Sequence, residues 1–164
     1  TKNIKVKKII SADEMMLAVK EALPVDLAVC VAAVSDFKPV NKKNEKIKKK
    51  ELDFKEITLE KNNDILEYLS KNNNNRPRIV AGFAAETENL TKNSLDKIKS
   101  KNCDFIFAND VSNKDIGFNS DYNKVSVIDK KGNIKHLSKN KKSFIANKIA
   151  QILLDELLDD RNLN

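Results

Sequence analysis

Five short stretches of this sequence hold residue types that can do chemistry. The first is Ala32-Ala33-Val34-Ser35-Asp36-Phe37-Lys38-Pro39, where the most apolar run of the chain ends. Small residues let a ligand approach the backbone, whose N–H groups can hold an anion. The Asp36 carboxylate can hold Mg2+ or a ribose hydroxyl; a strand-ending Asp that caps a turn explains it equally well. The second is Lys46-Ile47-Lys48-Lys49-Lys50, within a polar stretch at 35–51 that reads as a long loop. An ammonium on a flexible stem can close over a reacting phosphate and exclude water. In a chain with 31 Lys and Arg, a solvated charge run is the plainer reading.

The third stretch is Leu59-Glu60-Lys61-Asn62-Asn63-Asp64-Ile65-Leu66. Asn62 or Asn63 can cap a following helix, and the free N–H groups at its start can meet a base carbonyl or a phosphate. The fourth is Val80-Ala81-Gly82-Phe83-Ala84-Ala85-Glu86-Thr87-Glu88, in which Phe83 suits a nucleobase face or simple core packing. Lys97 and Lys101 follow at i,i+4 spacing, on one helix face, toward the same strand end or toward water. The fifth joins Ala108-Asn109-Asp110-Val111-Ser112 to Gly117-Phe118-Asn119-Ser120-Asp121, where turn chemistry needs no ligand.

The elements that must position these groups follow from periodicity. Ile4, Val6, Ile9 and Ile10 suggest a first strand, and Ser11-Ala12-Asp13-Glu14 has capping-box spacing ahead of a helix that Pro24 ends. Residues 26–34 read as a strand covered on both faces. Leu52, Phe54, Ile57 and Leu59 mark a return strand at an edge, and 63–71 a short helix. Strands at 78–84 and 104–108 flank a helix at 93–101. Lys131-Gly132-Asn133 signals a hairpin. Ile145, Ile149, Ile152, Leu153 and Leu157 form one stripe of a last helix at 141–158. The fold class is therefore α/β, a Rossmann-like, mostly parallel sheet with flanking helices and an added antiparallel hairpin, in one domain over residues 1–164.

Composition limits the partners. A net charge of +7 invites a nucleic-acid-binding reading. The excess is nearly all lysine, it accompanies abundant Asn, and stacking aromatics are sparse, so a generic basic surface is expected and no nucleic acid. Cys30 and Cys103 are widely spaced and read as buried free thiols in a reducing compartment. With His136 the single histidine, zinc is nearly excluded. No run approaches the ~18 apolar residues of a membrane span, and no signal peptide is seen, so no membrane association and a cytoplasmic location are expected. The three glycines form neither G-x-G-x-x-G nor a P-loop.

Taken together and in order, Ala-Ala-Val-Ser-Asp-Phe-Lys-Pro, Lys-Ile-Lys-Lys, Asn-Asn-Asp-Ile, Gly-Phe-Ala-Ala-Glu-Thr and Ala-Asn-Asp-Val-Ser with Gly-Phe-Asn-Ser-Asp resemble the phosphopantothenoylcysteine synthetase family in its bacterial form, usually fused behind a flavin-dependent decarboxylase. The resemblance implies a ligase that joins 4′-phosphopantothenate to L-cysteine in coenzyme A synthesis, using CTP and Mg2+ through an acyl-cytidylate, with FMN confined to an upstream decarboxylase domain. It implies that Asp36 binds the nucleotide and its Mg2+, and that Lys46 is the catalytic loop lysine at the phosphates. It further implies that Asn63, Asp64 and Ile65 line the cytidine site with Phe83, that Lys97 and Lys101 bind nucleotide, and that the Ala32 and Ala33 backbone contacts phosphopantothenate. A homodimer is implied too. Asn63 stands where many relatives have Pro, and Ser35 where many have Ala. The family's N-terminal glycine-rich segment is not found in the chain, so a non-catalytic dimerising fragment is an alternative, as is an ATP-using ligase.

Overall fold

A run of alternating apolar residues sets the core. In a strand, successive side chains point to opposite faces, and Ile79, Ala81, Phe105, Phe107, Val125 and Val127 all share one face, packed on Ile145, Ile149 and Leu153 of the last helix. The structure is a computed structural model and describes residues 3–41, 56–71, 74–86, 89–110 and 120–162. Lys46, Leu52, Phe54, Val111, Ser112 and Gly117–Asn119 of the sequence reading lie outside the described residues.

The elements are α1 (Ala12–Ala22), β1 (Leu27–Cys30), β2 (Phe37–Pro39), β3 (Leu59–Lys61), α2 (Ile65–Lys71), β4 (Ile79–Glu86), α3 (Leu90–Lys101), β5 (Phe105–Asp110), β6 (Tyr122–Asp129), β7 (Ile134–Lys141) and α4 (Lys142–Asn162). Two compact units result, one of Thr1–Glu21 with Ala33–Asp64 and one of Ala22–Ala32 with Ile65–Asn164.

The larger unit carries a five-stranded sheet of order β1-β4-β5-β6-β7. β1, β4 and β5 are parallel, with Cys30 opposite Gly82 and Glu86 opposite Asp110. β6 and β7 add the antiparallel hairpin expected from Lys131-Gly132-Asn133. Its turn is held by Asp129 Oδ1, which accepts from the Lys131 and Asn133 amides at 2.9 and 2.8 Å, and Gly132 takes φ +89°. Helix α4 covers one face of the sheet and α2 with α3 the other. At Gly82 the helix layer comes so close that an added Cβ would stand 2.7 Å from Leu66 Cδ2, so the Leu66 side chain would have to shift to admit any larger residue. Asn89 and Asn102 bracket α3 in left-handed conformation, which Asn tolerates better than most residues.

The smaller unit holds α1 and a two-stranded antiparallel sheet, β2 with β3. Its capping box forms with a shift. The Ser11 hydroxyl accepts from the Glu14 amide at 3.2 Å, while the Glu14 carboxylate accepts from the Ile10 amide at 2.8 Å, one residue before the cap.

Three expectations change. Residues 4–10 are not a strand: Ile4, Val6 and Ile10 are exposed and no described strand pairs with them. Apolar alternation cannot make a strand without a neighbouring edge. The run at 26–34 yields only Leu27–Cys30, at the sheet's edge, and Val29 and Val31 are exposed, so it is not covered on both faces. Cys30 is accordingly half-buried, whereas Cys103 is buried. Of the expected return strand, Leu52 and Phe54 lie outside the described residues, Ile57 is not in a strand, and Leu59–Lys61 pairs with β2 rather than with the edge of the five-stranded sheet. Among the described residues no helix is long and apolar enough to cross a membrane.

Candidate functional site

In the smaller unit, two of the motifs meet. β2 follows directly on Asp36, and antiparallel pairing with β3 sets Phe37 opposite Lys61. The ladder continues one step further: the Asn62 amide donates to the Asp36 carbonyl at 2.9 Å. The Asn62 side chain then donates through Nδ2 to the Ser35 carbonyl at 2.8 Å. Ser35 Oγ donates to the Phe37 carbonyl at 2.8 Å. Pairing thus brings the Ser35-Asp36 strand end and the Asn62-Asn63 turn together, 27 residues apart in sequence between Ser35 and Asn62.

Asn63 is fixed through its side chain, whose Nδ2 donates to Asp13 Oδ1 at 3.3 Å. Asp13 also receives Lys38 Nζ at 2.7 Å, and Glu60 stands 3.7 Å from the same ammonium. The Asp13 hydrogen bond raises the Lys38 ammonium above its ordinary value. Asn62 Oδ1 is buried and without a hydrogen-bond partner, so Asn62 does not cap α2, which begins at Ile65. Asp13, Lys38 and Asn62 were not singled out as functional from the sequence. Lys38 and Asn62 lie inside the quoted motifs, and Asp13 inside the capping box, where it reads only as a helix start.

Asp64 closes the smaller unit, while Ala32, the buried Ile65, Phe83, Lys97 and Lys101 belong to the larger one. Ala32 lies two residues beyond the end of β1, and Ala33 opens the returning segment of the smaller unit. Phe83 is half-buried and packs on Phe107, centroids 5.2 Å apart and planes at 46°, on the α4 face of the sheet. Lys97 and Lys101 belong to α3, on the other face. The structure therefore does not bring Phe83 and these lysines to one face. Lys101 Nζ is 3.0 Å from Glu67, which Lys71 also approaches at 2.6 Å. The hydrogen bonds from Lys71 and Lys101 lower the Glu67 carboxyl to about 2. A shallow hollow of about 480 Å3 on α3, lined by Leu90, Lys92, Leu95 and Lys99 among others, includes none of the candidates.

At the amino ends of the strands sits a group that sequence reading missed altogether. Asp104 is buried and accepts from Arg76 Nη2, Lys130 Nζ and the Val80 amide, each at 2.8 Å. Its partners come from positions 24 to 28 residues away, so no local pattern marks it. Burial pushes the neighbouring Cys103 thiol up to about 11, which makes it a packing residue rather than a nucleophile.

Parallel strands at the edge of a mixed sheet, with helices on both faces, define the larger unit as a Rossmann-like α/β layer, the kind that binds nucleotides beyond its strand ends. The chain belongs to the family described as DNA/pantothenate metabolism flavoprotein C-terminal domain, whose model matches residues 1–157. It is 39% identical over 155 residues to the coenzyme A biosynthesis bifunctional protein CoaBC of Borreliella burgdorferi, which covers 92% of this chain and 37% of that protein. It is also 33% identical over 155 residues to a cysteine/cysteine sulfinic acid decarboxylase of an unknown prokaryotic organism, covering 94% of this chain and 43% of that one. Among solved structures, the C-terminal domain of a CoaBC protein matches with a TM-score of 0.71 at 28% identity, over 92% of this chain and 65% of that one. The chain thus spans well under half the length of these two curated relatives.

Proposed function

We propose that this segment joins 4′-phosphopantothenate to L-cysteine, a step of coenzyme A synthesis, with CTP as the activating nucleotide and pyrophosphate and CMP as products. The observation that carries the reading is the juxtaposition of Ser35-Asp36 with Asn62-Asn63 by β2–β3 pairing. Family membership and the likeness to coenzyme A biosynthesis proteins support a ligase of that pathway. A carboxylate oxygen is a poor leaving group until it is esterified to phosphate. The substrate carboxylate therefore attacks the α-phosphorus of CTP, pyrophosphate leaves, and the cysteine amine displaces CMP from the acyl-cytidylate. Two anions must meet in the first step, and cations must screen them.

In this reading Lys46 is the catalytic lysine that neutralises the reacting phosphates, and Asn63, Asp64, Ile65, Phe83, Lys97 and Lys101 bind nucleotide. The Ala32 and Ala33 backbone meets phosphopantothenate, and two copies of the chain share the acyl-substrate sites as a homodimer. A flavin is assigned to a decarboxylase domain outside this segment. Among the described residues no hydrogen bond or ion pair occupies the Asp36 carboxylate. No cluster of three or more His, Cys, Asp or Glu that could hold a metal occurs among them either. A single open carboxylate suits Mg2+ that arrives on a triphosphate, rather than a metal caged by protein. When bound, that ion supplies charge neutralisation of the phosphates.

The test is pyrophosphate release from the full-length protein given phosphopantothenate, cysteine, Mg2+ and each triphosphate in turn. Release with CTP that Lys46→Gln reduces by about 100-fold or more, with the fold intact, supports the reading. Release with ATP alone replaces the nucleotide, and no release with any triphosphate removes the ligase.

A further inference from the structure

We propose that Asn62 is a positioning residue for the nucleotide site, acting through Ser35 and Asp36. The inference rests on the ligase reading above and extends it to a residue which that reading leaves out. Asn62 makes two donations to consecutive carbonyls of one strand end, its backbone N–H to Asp36 and its side-chain Nδ2 to Ser35. The other end of the same carboxamide, Oδ1, is buried and unpartnered.

That asymmetry identifies what the side chain does. A helix cap would use the oxygen to accept from an amide of the following turn, and here the oxygen accepts nothing. A residue serving only to fill space would carry no polar atom into a buried place, because an unmatched acceptor is costly there. What remains is the donor. The backbone bond alone would hold Asp36 as an ordinary extension of the β2–β3 ladder. The second bond, one residue earlier, stops the strand end from pivoting about the first. Two bonds to adjacent carbonyls fix the direction in which the Asp36 side chain leaves the backbone. They also couple it to Asn63, whose own side chain is held by Asp13. The carboxylate and the turn are thereby kept in one geometry before nucleotide arrives.

Two variants separate this role from stability. Asn62→Asp keeps the shape and replaces the donor with an oxygen facing the Ser35 carbonyl. Asn62→Leu removes the donor together with the unmatched acceptor, so its melting temperature should equal or exceed that of the parent. Both, in the full-length protein, should lower kcat/KM for CTP by about tenfold or more, as a displaced catalytic geometry does. KM for cysteine should stay within about twofold, because cysteine enters after the acyl-cytidylate forms. Unchanged CTP kinetics in Asn62→Leu overturn the proposal. So does a loss that falls equally on CTP and cysteine and tracks the melting temperature, which is the mark of a purely structural residue. If the parent protein itself releases no pyrophosphate with any triphosphate, the ligase reading fails, and this inference falls with it. The parent reaction therefore tells the two failures apart.

Discussion

Two aspartates organise polar clusters in this molecule, and they do so under opposite conditions. Asp104, in the larger unit, has a side chain only 5% exposed and takes three donors at 2.8 Å. Asp13, in the smaller unit, is 51% exposed and takes Lys38 and Asn63. A buried charge must have every lone pair matched, and removing a partner strands the rest in low dielectric. An exposed charge exchanges its partners with water at almost no cost. The first arrangement is suited to holding strand β4 against β5. The second can trade its donors for water and so contributes little to the stability of the smaller unit. Burial thus makes one carboxylate a structural anchor and exposure makes the other nearly neutral for stability.

The comparison can be broken most decisively at Asp104. Asp104→Ala leaves Arg76, Lys130 and the Val80 amide without their acceptor and should cost about 3 kcal/mol, read by urea denaturation. A loss below about 1 kcal/mol would mean that water replaces the carboxylate freely and that its burial is immaterial. Next comes Gly82→Ala, which tests whether close packing rather than charge dominates the larger unit. The new methyl meets Leu66 Cδ2 at 2.7 Å, and because that is the end of a flexible side chain the cost should be about 1–2 kcal/mol.

Glu67 is intermediate in exposure, at 38%, and is paired with Lys71 and Lys101. Its carboxyl is lowered to about 2 from an ordinary 4.5. A lowered carboxylate contributes stability above its unfolded-state value, and that stability is lost as pH falls through the folded value. Stability should therefore decline between pH 4.5 and 2 partly through Glu67, and Glu67→Gln should flatten the acid limb of a pH–stability curve. The smallest effect belongs to Asp13→Asn, for which no resolvable change in melting temperature is expected. A clear drop would show that the exposed cluster is structural and would erase the contrast with Asp104.

What the sequence made legible was local. The stripe Ile145, Ile149, Leu153 announced α4, because residues three and four apart share a helix face, and all three are buried. Lys131-Gly132-Asn133 announced the hairpin, because the turn demands a positive φ that Gly132 supplies. What it concealed depends on partners distant in the chain. The run at 26–34 is apolar enough for a covered strand, yet β1 lies at an edge and Val31 is 62% exposed. Periodicity reports the character of a face, not whether a neighbour is there. Asp104 was invisible for the same reason. At the candidate site, the Ser35-Asp36 and Asn63-Asp64 motifs were legible as separate segments, while the pairing that joins them, and Asn62 as its link, required the fold. Phe83 could be read as ligand contact or as packing; the fold shows it packed on Phe107 and still half-buried, which is compatible with either.

Strand β7 ends at Lys141 and α4 begins at Lys142, whose amide donates to the Asp121 carbonyl at 2.8 Å. Nothing flexible separates them, so hairpin and helix form a single lever pinned near its bend. A twist imposed on the hairpin tip would rotate Ile145 and Ile149 against Phe105 and Phe107 rather than dissipate in a linker. Force applied to that hairpin would therefore be felt in the core of the larger unit.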